Sequence, residues 1–245
     1  TLFSQDRPKP EDTEVWEPEP VVVIPGKSSN PPSDAIVLFD GTDFSKWQHE
    51  QSKKPVQWTL NKDNSMTVKP RTGGIETIEE HGSIQFHIEW KTPSIIKGKG
   101  QGRGNSGIMF QRRYEVQVLD SYNNRTYSNG QASSIYKQHI PLVNATRKPG
   151  ECQVYDIIFN EPEYDNEGEM IKTGTITVFL NGVLVQNNVE ILGTTEYIGA
   201  PKNRRDEMPG YNSSSYNSSK SINRSLTLQD HGDLVSYRNI WMRKL

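Results

Sequence analysis

Apolar and polar side chains alternate along much of the chain after residue 34. In residues 83–90, apolar side chains occupy every second position, and Gln85, His87 and Glu89 lie between them. Residues 114–118 alternate in the same way. A repeat of two residues is typical of a strand with one face in the core, so both segments are predicted to be half-buried strands.

Further short runs rich in β-branched and aromatic residues occur at 154–159, 175–180 and 234–242. Asn181-Gly182 follows the second run directly and precedes another apolar run, which is the strongest local signal for a β-hairpin. No segment of about 12 or more residues has the 3.6-residue period of an amphipathic helix. The sequence therefore predicts an all-β domain, either a sandwich or a barrel.

The first part of the chain has a different composition. Residues 1–33 contain seven of the 15 prolines, mixed with acidic residues. This composition favours extended backbone with little to bury. We predict an N-terminal arm over residues 1–33 and one domain over residues 34–245, with an apolar run at 21–24 that could dock as an edge strand.

Charge and hydropathy exclude several classes of protein. The chain has 28 basic and 30 acidic residues, a net charge of -2 and a mean hydropathy of -0.76. A nucleic-acid-binding protein usually carries a basic stripe, which this balance does not supply. No run approaches the roughly 20 apolar residues of a membrane span. The single cysteine, Cys152, excludes an intrachain disulfide.

The first candidate site is on the strand predicted over residues 114–118. Alternation places Glu115 and Gln117 on one face, about 7 Å apart. The short segment that contains Asn105 precedes this strand. A carboxylate beside an amide can bind sugar hydroxyls or transfer a proton. The alternative is an ordinary solvated strand face.

The second candidate site is near the end of the chain. Gln229, Asp230 and His231 precede a glycine turn, and Arg238 follows on the last strand. Imidazole is suited to proton transfer near neutral pH, Asp230 could orient it, and a guanidinium could bind an oxyanion or ketone oxygen. The alternative is a turn capped by an aspartate, followed by an arginine on a strand face.

Other side chains are weaker candidates. His87 and Glu89 share one strand face and could bind a metal or a substrate, and Glu89 could pair with Glu115 as in a two-carboxylate glycosidase. Tyr136 could add a tyrosine wall. Two tyrosines in the long loop at 202–224 could stack on sugar rings or simply be solvated; they are Tyr211 and Tyr216.

Several of these segments resemble one bacterial family. Residues 37–47, VLFDGTDFSKW, resemble the family opening LFDG-x-D-L-x-x-W. The family is the 3-keto-disaccharide hydrolase domain, also described as a 3-keto-glucoside 1,2-lyase and 3-keto-2-hydroxy-glucal hydratase. Its other motifs follow in order at residues 105–108, 114–120, 141–144, 149–151, 155–159, 181–183, 228–232 and 238–241.

The resemblance implies a fold and a cellular location. It implies a concanavalin-like jelly-roll β-sandwich and an exported bacterial protein, secreted or periplasmic, whose signal peptide is absent from this chain. The expected partner is a glycan or 3-keto-glycoside. No cofactor is certain, although a divalent cation is possible.

The resemblance also implies a reaction. A ketone at C3 of the sugar acidifies the C2 proton, a base removes it, and the group at C1 leaves by β-elimination, with or without rehydration. Glu115 and His231 are then candidates for base and acid, and Arg238 or a cation for the enolate.

Glu89 would be a second carboxylate or a cation ligand, and the other candidates would bind substrate. They are His87, Asn105, Gln117, Asp120, Tyr136, Gln229 and Asp230. The alternatives are a non-catalytic carbohydrate-binding module and a conventional two-carboxylate glycoside hydrolase.

Overall fold

The computed structural model describes residues 8–28, 30–203 and 224–245. Short 3-10 turns occur at Pro10–Thr13, Gly100–Gly102 and Ser128–Gly130. No helix among the described residues is long and apolar enough to cross a membrane. The strands of the described residues are β1 (Ile36–Phe39), β2 (Trp47–His49), β3 (Thr59–Leu60), β4 (Met66–Thr67), β5 (Ile75–Glu80), β6 (Ile84–Lys91), β7 (Ser106–Phe110), β8 (Tyr114–Val118), β9 (Gln153–Asn160), β10 (Glu163–Tyr164), β11 (Met170–Lys172), β12 (Thr175–Leu180), β13 (Val183–Glu190), β14 (Ser225–Leu228) and β15 (Ser236–Lys244).

The strands form two main antiparallel sheets. The larger sheet has the order β13-β12-β9-β6-β15-β4-β3, and β1 also pairs with β15. The smaller sheet has the order β2-β5-β14-β7-β8, while β10 and β11 form a separate hairpin. Some neighbours in each sheet, such as β6 with β15 and β5 with β14, are distant in sequence, as expected of a sandwich with crossing connections.

The alternation in the sequence explains which faces meet. In β6, Ile84, Phe86, Ile88 and Trp90 are almost fully buried, and they face the smaller sheet. The rings of Phe86 and Phe110 lie 5.6 Å apart, edge to face, and so join β6 of one sheet to β7 of the other. The core therefore lies between the sheets, and the predicted all-β jelly-roll sandwich is confirmed.

Two tyrosine hydroxyls tie the sheets together beneath β7 and β8. Tyr155 on β9 donates to the backbone oxygen of Gln117 at 2.7 Å. Tyr237 on β15 donates to Ser106 Oγ at 2.6 Å. Both tyrosines are fully buried, so the hydrogen bonds satisfy hydroxyls that would otherwise be costly to bury. They fix the position of β7 and β8 relative to the larger sheet.

The predicted hairpin is present between β12 and β13. Asn181 and Gly182 form its turn with φ angles of 54° and 81°. Positive φ at both central positions is the conformation that an Asn-Gly pair favours in a two-residue hairpin.

The apolar run at 21–24 does not form the edge strand that its sequence suggested. Val21 and Val22 are 88% and 89% exposed, and no strand includes them. Ile24 instead pairs locally with Ser33, since Ser33 N donates to the Ile24 oxygen at 3.0 Å. The prolines that flank the run remove backbone donors, which disfavours pairing with a sheet edge. Residues 1–7 of the predicted arm lie outside the described residues.

Candidate active site

A hollow of about 280 Å³ lies on the outer face of the smaller sheet. We call it the site hollow. Six of the eleven side chains selected from the sequence line it, and they come from segments far apart along the chain. The residues that line the site hollow are Asn105, Met109, Glu115, Gln117, Tyr136, Thr195, Tyr197, Gln229 and His231.

Strand pairing brings the floor of the site hollow together. Glu115 on β8 pairs with Met109 on β7, and Gln117 pairs with Gly107. Gln229 N, just beyond β14, donates to the Gly107 oxygen at 3.0 Å. Because side chains alternate across a strand, Glu115 and Gln117 share the outer face, as the sequence predicted.

The free edge of β8 is covered by two loops. Tyr136 N donates to the Glu115 oxygen at 3.0 Å, and Ser133 N donates to the Gln117 oxygen at 2.9 Å. Glu115 N donates to Thr195 Oγ1 at 2.9 Å. With these loops in place, Glu115 and Gln117 are only 5% and 1% exposed. The polar face of β8 is therefore not a solvated strand face.

Glu115 has an unusual environment for a carboxyl group. The residue is only 5% exposed, and in the part of the chain that the structure describes its carboxyl has no hydrogen-bond donor or cation against it. Burial alone raises the pKa of Glu115 to about 8. A carboxyl that titrates near neutral pH in a hollow is suited to acid–base catalysis.

Gln117 lines the site hollow and has an unpaired acceptor. Its Nε2 donates to Gln101 Oε1 at 2.9 Å, which orients the amide. Its Oε1 is buried and has no hydrogen-bond partner among the described residues. A buried acceptor without a partner is costly.

Tyrosine rings form one wall of the site hollow. The hydroxyls of Tyr127 and Tyr136 lie 2.5 Å apart. The Lys137 ammonium lies 4.4 Å from the centroid of the Tyr197 ring, where a cation is attracted to the aromatic face. Burial raises the pKa of Tyr136, so its hydroxyl stays protonated at neutral pH and can donate a hydrogen bond.

The rim is formed by two loop segments. Asn105 N donates to Asp233 Oδ2 at 2.8 Å, and Asn105 Nδ2 donates to the Gln101 oxygen at 2.7 Å. Ser106 Oγ donates to the Gln229 backbone oxygen at 2.7 Å. The Gln229 side chain is therefore presented from a fixed backbone, and exposed His231 follows it at the rim.

Two predicted substrate ligands, Asp120 and Asp230, lie outside the site hollow and are bonded within the protein. Asp120 accepts from Arg103 Nε at 2.6 Å and does not line the site hollow. Asp230 Oδ2 accepts from the backbone nitrogens of Thr72 and Gly73, both at 3.0 Å. Asp230 thus caps a turn, as the alternative interpretation held, and its carboxylate is committed to backbone donors rather than to His231.

Glu89, Arg238 and His87 lie elsewhere. They belong to β6 and β15, and their side chains are on the outer face of the larger sheet, opposite the core residues of β6. Arg238 Nε donates to Glu89 Oε2 at 2.6 Å, and His87 Nδ1 lies 2.6 Å from Asp156 Oδ1. The expectation that these three groups share a hollow with Glu115 was wrong, because alternation fixes a face but not the sheet.

The positions of Glu89 and Glu115 decide whether the two carboxyl groups could act together as in a conventional glycosidase. Packed sheets are about 10 Å apart, and Glu89 and Glu115 point away from the core on opposite sides. Their carboxyl groups are thus farther apart than the roughly 5–9.5 Å that glycosidase pairs require. The pair does not form a conventional glycosidase centre.

No group of three or more His, Cys, Asp or Glu residues in the described ranges is arranged to hold a metal ion. The divalent cation considered from the sequence stays a prediction. Tyr211 and Tyr216, the loop tyrosines considered for sugar stacking, lie outside the described residues.

Sequence analysis missed several residues that shape the site hollow. Thr195, Tyr197, Gln101 and Lys137 come from loops without hydrophobic periodicity, so no local pattern distinguished them. Met109 alternates with core residues on β7, and its position opposite Glu115 could have been predicted only with the strand register.

The sandwich fold does not by itself assign a function to the site hollow, whereas comparisons with known proteins assign the chain to a family. The chain belongs to the 3-keto-α-glucoside-1,2-lyase-like domain family, whose sequence profile matches residues 34–243. Membership of this family places it among carbohydrate-active enzymes. No curated protein matches the chain.

Solved structures from Parabacteroides distasonis ATCC 8503 are similar to this chain. One protein, provisionally described as a glycosyl hydrolase, is 45% identical, with 97% of each chain covered and a TM-score of 0.86. Two others with the same description are 20% and 18% identical, with TM-scores of 0.56 and 0.54. They cover 86% of this chain and 94% and 99% of their own, and they show the fold alone.

Proposed function

We propose that the protein cleaves 3-keto-glycosides by removing the C2 proton and expelling the group at C1. The observation that carries this proposal is one buried, unpaired carboxyl, Glu115, in a sugar-sized hollow with an imidazole at its rim. Family membership supports the same chemistry. Export to the periplasm or the cell exterior, which the resemblance implies, stays a prediction.

Glu115 is the base in this proposal. A pKa raised to about 8 makes its carboxylate a stronger base than an ordinary glutamate. The ketone at C3 delocalises the electron pair left when the C2–H bond breaks, which gives an enolate. The absence of a donor against the carboxyl, among the described residues, leaves its oxygens free to approach C2.

The enolate oxygen needs a hydrogen-bond donor, because charge develops there as the proton leaves. Arg238, assigned this role from sequence, lies on the other sheet. Tyr136 and Gln229 line the site hollow and can supply donors instead. Gln117 lines the site hollow beside them.

The leaving group takes the electron pair of the C1–O bond and needs a proton. His231 is at the rim, where a substituent on C1 can leave toward solvent, and it is the acid in this proposal. Elimination leaves a 2-hydroxy-3-keto-glucal. Addition of water across C1 and C2, with hydroxide to C1 and a proton to C2, completes net hydrolysis.

Substrate pairs test this proposal. The protein is mixed with 4-nitrophenyl glucoside or with 4-nitrophenyl 3-keto-glucoside, and release of nitrophenol is measured. We expect release from the keto substrate alone. Release from the plain glucoside would identify a conventional glycosidase, and binding without release would identify a carbohydrate-binding module; either result overturns the proposal.

A further inference from the structure

A second hollow, larger than the first, lies beside the site hollow. It has a volume of about 580 Å³ and is formed where β6 and β8 end and β15 begins. We call it the cleft. Its lining contains none of the residues that the proposed reaction uses.

The two hollows share a thin wall. Gly104 lines the cleft, and Asn105 lines the site hollow. In a second segment, Gly232 lines the cleft and His231 lines the site hollow. Because consecutive Cα atoms are about 3.8 Å apart, the wall is about one residue thick at both points.

The two wall segments are also bonded to each other. Asp233, which lines the cleft, accepts from Asn105 N at 2.8 Å. This bond holds the wall in place. A molecule bound across the rim would therefore place one end in each hollow.

The side chains of the cleft favour an apolar occupant. Ile95, Ile96 and Leu234 line it and are 73%, 54% and 53% exposed, although large aliphatic side chains are usually buried. Clustered exposed apolar side chains commonly mark a binding surface. The lining also has charged side chains: Arg103 and Asp120 pair at 2.6 Å, Lys91 pairs with Asp63 at 3.6 Å, and Lys97 and Asp233 are the others.

The cleft is less suited to a second sugar. Its lining contains no Trp, Tyr or Phe among the described residues, whereas the site hollow contains two tyrosines. The cleft is also large enough for a drug-sized occupant. The site hollow is slightly smaller than the range of about 300–1,000 Å³ that holds drug-sized ligands, while the cleft is within it.

We infer that the cleft binds the aglycone of the substrate, and that this aglycone is an apolar phenol or alicyclic alcohol. The inference rests on the proposed function. The 3-keto sugar occupies the site hollow, and the glycosidic oxygen crosses the wall at His231. A proton from His231 then reaches that oxygen as the aglycone leaves into the cleft.

Two variants test the aglycone site, Ile95→Ser and Leu234→Ser, with Ile171→Ser as the matched control. Ile171 is 63% exposed and lies on β11, away from both hollows. Each protein is assayed for kcat/KM on 4-nitrophenyl and methyl 3-keto-glucoside. Thermal melts check that all variants are folded, and having two variants keeps the test valid if one is not.

The measured quantity is the aryl-to-methyl ratio. Loss of apolar contact should lower the ratio by about fivefold in each cleft variant. The control should keep the wild-type ratio. An unchanged ratio in both cleft variants, with turnover intact, would overturn the aglycone site and leave the proposed function standing.

Binding measurements distinguish a failure of the aglycone site from a failure of the proposed function. Affinities for the same two compounds are measured by calorimetry in a Glu115→Gln background, with and without Ile95→Ser. Absence of turnover by the wild type would overturn the proposed function. Tighter aryl binding that Ile95→Ser weakens would still support the cleft, whereas equal aryl and methyl affinities would overturn it.

Discussion

The Glu115 carboxyl lies directly over the backbone of Gly107, so closely that a methyl group built at position 107 would be 2.5 Å from Glu115 Oε1. The absence of a side chain on β7 thus creates the space that the carboxyl occupies. Gly107 has no need of positive φ, so its role is steric.

Gly107→Ala should lower kcat by about 10–100-fold, because displacing a catalytic group by even 1 Å is costly. The backbone at this position accepts alanine, so the fold should persist. Turnover of a 3-keto-glucoside and a thermal melt measure the two effects. Gly102→Ala is the control, since no atom lies within 4 Å of its added methyl group. Equal turnover by the two variants would refute the steric role.

The pH dependence of turnover tests the role of Glu115. As a base with a pKa of about 8, it must lose its proton before it can act. Because His231 must be protonated in the same mechanism, the profile is measured in His231→Asn, where kcat/KM should rise about tenfold per pH unit up to about 8. A value that instead falls in His231→Asn as the pH passes 8 would assign Glu115 the role of acid.

The free energy of unfolding should fall as the pH rises from 4 to 9, because Glu115 becomes charged while buried. The pKa of Glu115 in the folded protein is above the roughly 4.3 of an unfolded glutamate. Its stabilising contribution is fully present below about pH 4 and is lost as the pH rises through 8. Glu115→Gln cannot ionise, so it should be more stable than wild type at pH 9, by roughly 3–5 kcal/mol.

Denaturant unfolding at pH 4 and pH 9 measures this difference. The advantage of Glu115→Gln should disappear at pH 4, where both side chains are neutral. The control is Glu163→Gln, which alters an exposed carboxylate paired with Lys172. A Glu115→Gln variant no more stable than wild type at pH 9 would contradict an isolated, buried carboxyl.

Arg238 should affect stability rather than turnover. Its guanidinium pairs with Glu89 at 2.6 Å on the larger sheet, and Glu89 is 5% exposed. Arg238→Ala should cost about 1–2 kcal/mol, because the carboxylate loses a donor but keeps Asn239. Turnover should stay within about twofold of wild type, since the pair lies on the larger sheet and Glu115 on the smaller one.

Arg243→Ala provides the comparison for Arg238→Ala. It breaks a more exposed pair on the same strand, with Asp34, and should cost less than about 1 kcal/mol. A loss of turnover of 100-fold or more in Arg238→Ala alone would restore Arg238 to the active site.

Local patterns predicted the strands and the faces of their side chains. Alternation at 114–118 placed Glu115 and Gln117 together, and the same rule at 83–90 placed His87 with Glu89. Alternation cannot show which sheet a strand joins, because that depends on pairing between distant segments. Glu89 and Glu115 therefore looked alike in sequence, although they are on opposite outer faces.

Loop residues were harder to predict for a different reason. Asp230 and His231 are neighbours in sequence, yet one caps a turn and the other faces the site hollow. Loops lack a repeating geometry, so the direction of each loop side chain is set by specific hydrogen bonds. The family resemblance grouped Gln229 and His231 with Glu115, but it grouped Glu89 and Arg238 with them as well, and only strand pairing separates the two sets.

Exchange of the C2 hydrogen with solvent tests the central claim most directly. A 3-keto-glucoside is incubated with the protein in D₂O, and deuterium at C2 of the released sugar is measured by mass spectrometry. Wild type should release either a 2-hydroxy-3-keto-glucal, which has no hydrogen at C2, or a hydrated 3-keto sugar with one deuterium at C2. Glu115→Gln should release neither above the uncatalysed rate. A hydrated sugar released without deuterium at C2 would show that bond cleavage at C1 does not proceed through loss of that proton.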